Sequence, residues 1–193
     1  MRIADYSVLA EVGQSLLRVL REQMVPELIE QPELIGLASP LDKWDLSLSL
    51  FLFNVTEAAD HRKTNMISKG SSALQYPPLA VNLQYLITAF SMAETPSRAI
   101  NEHRMLGKVM QVFHDNSVLR GSALTGTLAD GNEEIKISTS ALPLDQLLSF
   151  FSESPYKLSL CYTVGPVFLD STRVKPTQRV VETQFHLRDT GGQ

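Results

Sequence analysis

The sequence predicts an α+β domain with a mixed, largely antiparallel sheet flanked by two or three helices. Its strongest strand signals are apolar segments with a period of two at 45–55, 79–90, 157–169 and 178–188. Helical patterns separate only some of these strands, so the order is not the strict strand–helix alternation of a parallel sheet. The chain has 193 residues, 44% of them apolar and 20% charged, which is typical of one globular domain. We therefore expect a single domain over 1–193.

The first helix is predicted over residues 3–24, where apolar side chains recur at three- and four-residue steps and Pro26 limits the end. The residues expected on its buried face are Val8, Leu9, Val12, Leu16, Val19, Leu20 and Met24. Residues 25–44 follow with three prolines and no sustained period, which indicates a loop or an edge segment.

A second helix is predicted over 95–116, with Thr95 as the N-cap and Pro96 in the first position. Its expected buried stripe consists of Ile100, Leu106, Val109, Met110 and Phe113. A third, compact helix begins at Pro143. The residues expected on one side of it are Leu144, Leu147, Leu148 and Phe151.

The strand at 45–55 carries leucines on one face, while its other face changes from Ser47 and Ser49 to Phe51 and Phe53. This change predicts a strand that starts half-exposed and ends covered on both faces. A short strand is predicted around 134–138.

Residues 56–78 are predicted to form a long polar loop, and 189–193 a frayed tail. A connection of this length without structure of its own is usually functional or disordered. We expect the loop to contact a neighbouring subunit or a partner protein. The residues assigned to this interface are Arg62, Lys63, Asn65, Lys69 and Tyr76.

The residue types give little sign of an active site. Phosphate-loop and nucleophile-elbow motifs are absent from the sequence, and GSALTGT at 121–127 fits a surface loop better than a phosphate cradle. Cys161, the single cysteine, lies in an apolar run and is expected to be buried and inert. His103 and His114 lie about 16 Å apart on one helix, too far to share a metal. No catalytic residue, cofactor or metal is expected.

Charge and hydropathy argue against several classes of protein. The net charge of −4 argues against a dedicated nucleic-acid binder. The longest apolar run, at 46–55, is too short for a membrane helix, and the first residues lack the apolar core of a secretory signal. The expectation is a soluble, cytoplasmic protein without nucleic-acid or membrane partners.

Four sequence blocks resemble one family when their order and spacing are considered together: 46–55, 77–91, 103–119 and 142–171. The most specific pieces are PPLAVNLQYLITAF, MLGKVMQVFHD and YKLSLCYTVGPV. They resemble the tail-terminator or cap proteins of extracellular contractile injection systems, the phage-tail-like particles of the antifeeding-prophage and virulence-cassette type. This region was formerly a domain of unknown function. The resemblance departs from the family pattern at Ala58 and Lys63, where asparagines are expected.

The resemblance implies a phage tail-terminator-like fold and a structural role. Such a protein forms a homo-oligomer, expected to be a hexameric ring, on the distal end of the inner tube. It contacts inner-tube and sheath proteins and ends their growth, assembling in the cytoplasm before becoming part of the particle. Two alternatives remain open. One is a head–tail connector or minor tail protein of a phage, and the other is an enzyme with an unrecognised site.

Overall fold

The computed structural model describes residues 6–42, 44–70 and 73–176. The chain divides into two compact units. The first consists of Met1–Lys63 with Pro78–Asp170, and the second of Thr64–Pro77 with Ser171–Gln193. The strand predicted at 178–188 and the tail at 189–193 lie outside the described residues.

The described residues contain three α-helices and nine strands. The helices are α1 Val8–Met24, α2 Thr95–Asp115 and α3 Leu144–Ser149. The strands are β1 Ile35–Leu37, β2 Leu48–Glu57, β3 Ile67–Ser68, β4 Ala73–Gln75, β5 Leu79–Ala89, β6 Val118–Leu119, β7 Ile135–Thr139, β8 Ser159–Leu169 and β9 Val174–Pro176.

The first unit is built on a six-stranded sheet with the order β1-β2-β5-β8-β7-β6. Only β1 and β2 are parallel, and every other neighbouring pair is antiparallel. The predicted α+β class with a mixed, largely antiparallel sheet is therefore confirmed. The second unit contains a small antiparallel sheet with the order β3-β4-β9.

Helix α1 supplies much of the core of the first unit, as its periodicity predicts. Its apolar stripe is buried, with Leu9 partly so, and belongs to the cluster that includes Tyr85, Ile87 and Val164 of the sheet. A fully buried aliphatic side chain contributes roughly 1.5–3 kcal/mol. The stripe therefore accounts for the position of α1 against the sheet.

Helix α2 is correctly predicted, but its buried stripe differs in two positions. Leu106, Val109 and Phe113 are buried, and the ring of Phe113 lies 4.9 Å from that of Tyr162. Ile100 and Met110, however, are 54% and 49% exposed. The stripe runs through Met105 and Val112 instead, so Met110 lies beside it, and Ile100 ends a run of exposed residues that begins at Pro96. The helix begins at Thr95, which makes Glu94 the capping residue in place of Thr95.

The burial predicted for β2, half-exposed at its start and covered on both faces at its end, is wrong in direction. Leu48, Ser49 and Leu50 are buried, whereas the strand is exposed from Asn54 onward. Its first residues lie between β1 and β5, because β1 pairs only with Leu48, Ser49 and Leu50. The rest of the strand continues beyond the end of β1 and is flanked on one side only among the described residues.

The third helix, α3, also buries less than predicted. Leu144 and Leu148 are 62% and 46% exposed, and Phe151 is the buried member of the expected row. The neighbouring Phe150 contacts the rings of Phe51 and Phe53 on β2. The contact with β2 is therefore made by Phe150, which lies outside the expected row.

Two segments predicted as irregular contain short elements. Residues 25–44, interpreted as a loop or edge segment, include the edge strand β1. Residues 56–78, interpreted as a long polar loop, include the end of β2, a 3-10 turn at Ala59–His61, and the hairpin of β3 and β4. These elements are too short to give a period that the sequence could reveal.

Candidate interaction surfaces

Two of the predicted interface residues, Arg62 and Lys63, belong to the first unit and are exposed. Arg62 forms an ion pair with Glu57 at the end of β2, with Nε 3.2 Å from Oε1. The Lys63 ammonium lies 4.5 Å from the centroid of the Phe168 ring on β8. Both cations are thus oriented by neighbours within their own unit and still face solvent.

The other three, Asn65, Lys69 and Tyr76, belong to the second unit. Asn65 and Lys69 are exposed, and the backbone N–H of Lys69 donates to the Ala73 carbonyl at 2.9 Å in the β3–β4 hairpin. Tyr76 is half-buried, with the Arg173 guanidinium 4.4 Å from its ring centroid. The five residues are therefore divided between the two units.

The sequence interpretation missed a surface at the outer side of β2. The backbone N–H of Ala38 donates to the Leu50 carbonyl at 3.2 Å, and β1 pairing ends there. Beside this point lies an apolar groove of about 390 Å³, whose lining includes Leu9, Leu37, Leu52 and Tyr85. These residues come from four distant parts of the chain, so no local pattern identifies the groove. We call the stretch of β2 from Phe51 to Glu57 the open β2 edge.

The loop at 121–127 is held by hydrogen bonds to α1. The guanidinium of Arg18 donates to the carbonyls of Ser122 and Leu124. The Thr125 hydroxyl donates to the Glu11 carbonyl at 2.8 Å, and the Ser15 hydroxyl accepts from the Thr125 N–H at 3.0 Å. These contacts agree with the interpretation of the glycine-containing segment as a structural loop.

The carboxylate of Glu11 is the centre of this attachment. It accepts hydrogen bonds from the hydroxyls of Ser7 and Thr127, both at 2.8 Å, and from the Leu128 N–H at 3.2 Å. Burial by itself would raise the pKa of this carboxyl, but the hydrogen bonds together lower it below its ordinary value. The ionised form is therefore the one that holds the loop.

The environment of a second carboxyl, that of Glu133, disfavours its ionised form. Its Oε2 atom is buried without a hydrogen-bond partner. Burial and the nearby Asp170 carboxylate raise the pKa of Glu133, while Lys63 acts in the opposite direction. The ionised form of Glu133 is thus destabilised in the fold.

The described residues show little that resembles a reaction centre. Cys161 is buried, and burial raises the pKa of its thiol, which disfavours the nucleophilic thiolate. Within 6–42, 44–70 and 73–176, no group of three or more His, Cys, Asp or Glu is placed to hold a metal ion. In the same ranges, no helix is long and apolar enough to cross a membrane.

The mixed sheet and the three described helices form an α+β fold that matches that of a solved sheath/tube terminator. The model of the Pvc16 N-terminal domain family matches residues 11–183, so the chain belongs to that family. The family resemblance inferred from the sequence blocks is confirmed. Among curated proteins, none matches the chain significantly.

Two solved structures are similar to this chain. The first is the sheath/tube terminator of PVC, an extracellular contractile injection system, in its extended state. It matches 100% of the chain with a TM-score of 0.65 and 17% identity. The second is the tube-terminating cap of the anti-feeding prophage, which matches 91% of the chain with a TM-score of 0.58 and 20% identity. The chain spans 66% and 60% of the lengths of these two proteins.

Proposed function

We propose that this protein is a structural cap of a contractile injection system. It binds the distal end of the inner tube and the last sheath ring and ends their growth. The observation that carries this proposal is the similarity of its fold, over the whole chain, to a protein described as a sheath/tube terminator. Family membership over residues 11–183 supports the same role.

In this proposal the protein acts as a hexameric ring and catalyses no reaction. A cyclic ring uses heterologous contacts that close on themselves, so each copy presents two different surfaces. Several copies that bind a tube end of matching symmetry make individually weak contacts strong, because each later contact is nearly intramolecular. Such binding needs neither a cofactor nor a metal. Copies assemble in the cytoplasm and then remain in the particle.

The charged side chains on 56–78 are proposed to contact a neighbouring subunit or the sheath. Arg62 and Lys63 extend from the first unit into solvent, and Asn65 and Lys69 are exposed on the second. Tyr76 offers an aromatic surface beside Arg173. Reversing the charge of Arg62 would remove only an exposed ion pair, which is worth about 0–1 kcal/mol. Arg62→Glu should therefore fold normally but impair assembly of the ring, and for that reason bind tube ends more weakly.

A matched control is Arg120→Glu. Arg120 is 75% exposed compared with 69% for Arg62, and it also pairs with a glutamate, Glu134, at 3.5 Å. The proposal leaves Arg120 outside the interface, so its reversal should leave tube binding unchanged. Equal weakening by both variants would indicate a general effect of net charge and would contradict the assignment of Arg62.

The capping role itself is tested by mixing the purified protein with assembled inner tubes and, separately, with tube subunits. Electron microscopy should show rings of the protein and added density at tube ends. Sedimentation should show tight binding to tubes and weak binding to subunits, with or without chelator. Equal affinity for subunits and tube ends, or loss of binding on chelation, would overturn the proposal.

A further inference from the structure

The open β2 edge is a strand edge that lacks a neighbour along most of its length. β5 pairs with β2 as far as Glu57, with an irregularity at Phe53. On the opposite side β1 pairs only as far as Leu50. Within the described ranges, the backbone groups that face outward beyond Leu50 have no strand partner. They are available to a strand that is added from outside.

The composition of this edge favours an added strand over solvent. Its sequence is FLFNVTE, with a single charged residue at the last position. Exposed edge strands in monomeric proteins usually carry a lysine, a proline or an inward-pointing charged side chain. Each of these features prevents pairing with another chain. Apart from the irregularity at Phe53, the open β2 edge has none of these features before Glu57.

Both faces are apolar beside the first three residues of the edge, Phe51 to Phe53, while Asn54, Thr56 and Glu57 further along are polar. On one face lies the groove of about 390 Å³ next to Leu9, Leu37 and Leu52. On the other face Phe51 and Phe53 contact the ring of Phe150, at centroid distances of 6.2 Å and 5.2 Å. A strand that pairs with this edge would therefore bury alternate side chains on either face, provided that it carries apolar residues with a period of two.

We propose that residues 178–188 of a neighbouring copy add to the open β2 edge. This segment, QRVVETQFHLR, has Val181, Phe185 and Leu187 at alternate positions and is long enough to span the edge. Only Thr177 separates it from the end of β9 at Pro176. Even the tightest hairpin uses about two residues, so the segment is expected to continue past β9 rather than pair with it.

The donor is a neighbouring copy because the proposed ring needs a heterologous contact, and a strand donated in one direction provides one. Each copy then provides one segment and receives another, which is the arrangement that closes into a ring. To this extent the inference rests on the proposed function. The donor and the acceptor are nevertheless identified by residues that can be probed without any tube, in variants that each add one cysteine to the buried Cys161.

The test uses two variants, each with one added cysteine. Val55→Cys places a thiol on the open β2 edge, and Thr183→Cys places one in the centre of the donated segment. Val118→Cys on β6 is the control, because Val118 is 41% exposed and Val55 is 42% exposed. Mixtures of Val55→Cys with Thr183→Cys chains, differing in tag size, are oxidised and separated on non-reducing gels. Val181→Cys and Phe185→Cys replace Thr183→Cys in parallel mixtures, since a disulfide requires Cα atoms about 4.4–6.8 Å apart.

A mixed disulfide-linked pair is expected with Val55→Cys and not with Val118→Cys. Truncation after Pro176 in the Val55→Cys chain should leave the crosslink to a full-length Thr183→Cys chain intact. Crosslinking of Val118→Cys equal to that of Val55→Cys would overturn the proposal, as would the absence of any Val55→Cys crosslink from rings seen by microscopy. Rings that cap tubes without the crosslink would refute this inference and leave the capping role standing.

Discussion

The carboxylate of Glu11, in the first helix, accepts a hydrogen bond of 2.8 Å from the hydroxyl of Thr127, 116 residues later in the chain. The same carboxylate accepts from Ser7, the residue just before its own helix, and from the backbone of Leu128. One ionised side chain thus connects the start of α1 to the loop that leads toward β7.

Replacing this carboxylate should loosen the loop. In Glu11→Gln one acceptor oxygen becomes a donor amide and the negative charge is lost, so the hydrogen bonds from Thr127 and Leu128 no longer have a charged acceptor. Such a loss typically costs about 1–3 kcal/mol. Urea denaturation at neutral pH should show the variant to be less stable than the wild type. Glu22→Gln is the control, because Glu22 is exposed and pairs only distantly, at 3.9 Å, with Arg18.

The same effect should depend on pH in a defined direction. The folded pKa of Glu11 lies below its value in the unfolded chain, so its stabilisation is complete above the unfolded value. It is lost as the pH falls through the folded value. The difference in unfolding free energy between wild type and Glu11→Gln should therefore shrink in acid. A difference that stays constant across this range would contradict the role given to the ionised form.

Gly126 should not tolerate a side chain. Its φ of +63° is unfavourable for other residues, and a Cβ there would lie 2.6 Å and 2.8 Å from the two carboxylate oxygens of Glu11. We expect Gly126→Ala to destabilise the protein by more than the ~1–2 kcal/mol of the backbone conformation alone. Thermal unfolding measures the change.

Gly107→Ala is the matched control for this substitution. Gly107 lies in α2, and a Cβ at this position meets nothing within 4 Å. Replacing a glycine inside a helix by alanine stabilises by roughly 0.5–1 kcal/mol. The two glycine variants should therefore shift the melting temperature in opposite directions. Destabilisation by Gly107→Ala would indicate an unrecognised requirement for glycine there.

The sequence predicts those parts of the fold in which one pattern extends over many residues. The 17 residues of α1 repeat one apolar stripe, and β5 and β8 alternate over 11 residues each. Alternation in β2 was equally clear, but it cannot tell which strands flank each end. The burial of β2 depends on β1, whose three residues carry no period of their own.

The candidate surfaces could not be predicted from the sequence either, where they join residues that are distant in the chain. The groove next to the open β2 edge joins Leu9, Leu37, Leu52 and Tyr85, which approach one another only through the sheet order. The attachment of Thr127 to Glu11 is likewise invisible in the sequence, since a glutamate in a first helical turn usually faces solvent. The polar character of 56–78 was visible, because it depends on composition alone.

The corrected stripe of α2 gives a test of packing. Leu106 is 3% exposed and lies in the core cluster, so Leu106→Ala should cost about 2–5 kcal/mol. Met110 is 49% exposed, so Met110→Ala should lower the free energy of unfolding far less than Leu106→Ala does. Measuring unfolding at several protein concentrations distinguishes a loss of core packing within one copy from an effect on assembly. A Met110→Ala variant destabilised only at high concentration would place Met110 in an interface between copies.

The buried carboxyl of Glu133 should destabilise the fold when it is ionised, whereas the ionised carboxyl of Glu11 should stabilise it. Its pKa is raised by burial and by Asp170, so the folded state binds the proton more tightly than the unfolded chain does. Stability is therefore lost as the pH rises from the unfolded pKa through the folded pKa, and the loss persists at neutral pH. Glu133→Gln removes the charge and should raise the melting temperature at neutral pH.

This gain should disappear in acid, where Glu133 of the wild type is protonated in both the folded and the unfolded state. The control is Glu134→Gln, because Glu134 is 55% exposed and forms a surface ion pair with Arg120 at 3.5 Å. Surface pairs contribute about 0–1 kcal/mol, so this variant should change little and in the unfavourable direction. Melting temperatures of both variants across the acid-to-neutral range test the assignment. A Glu133→Gln variant that melts below the wild type at neutral pH would show that the ionised carboxylate stabilises the fold through a contact that outweighs its burial.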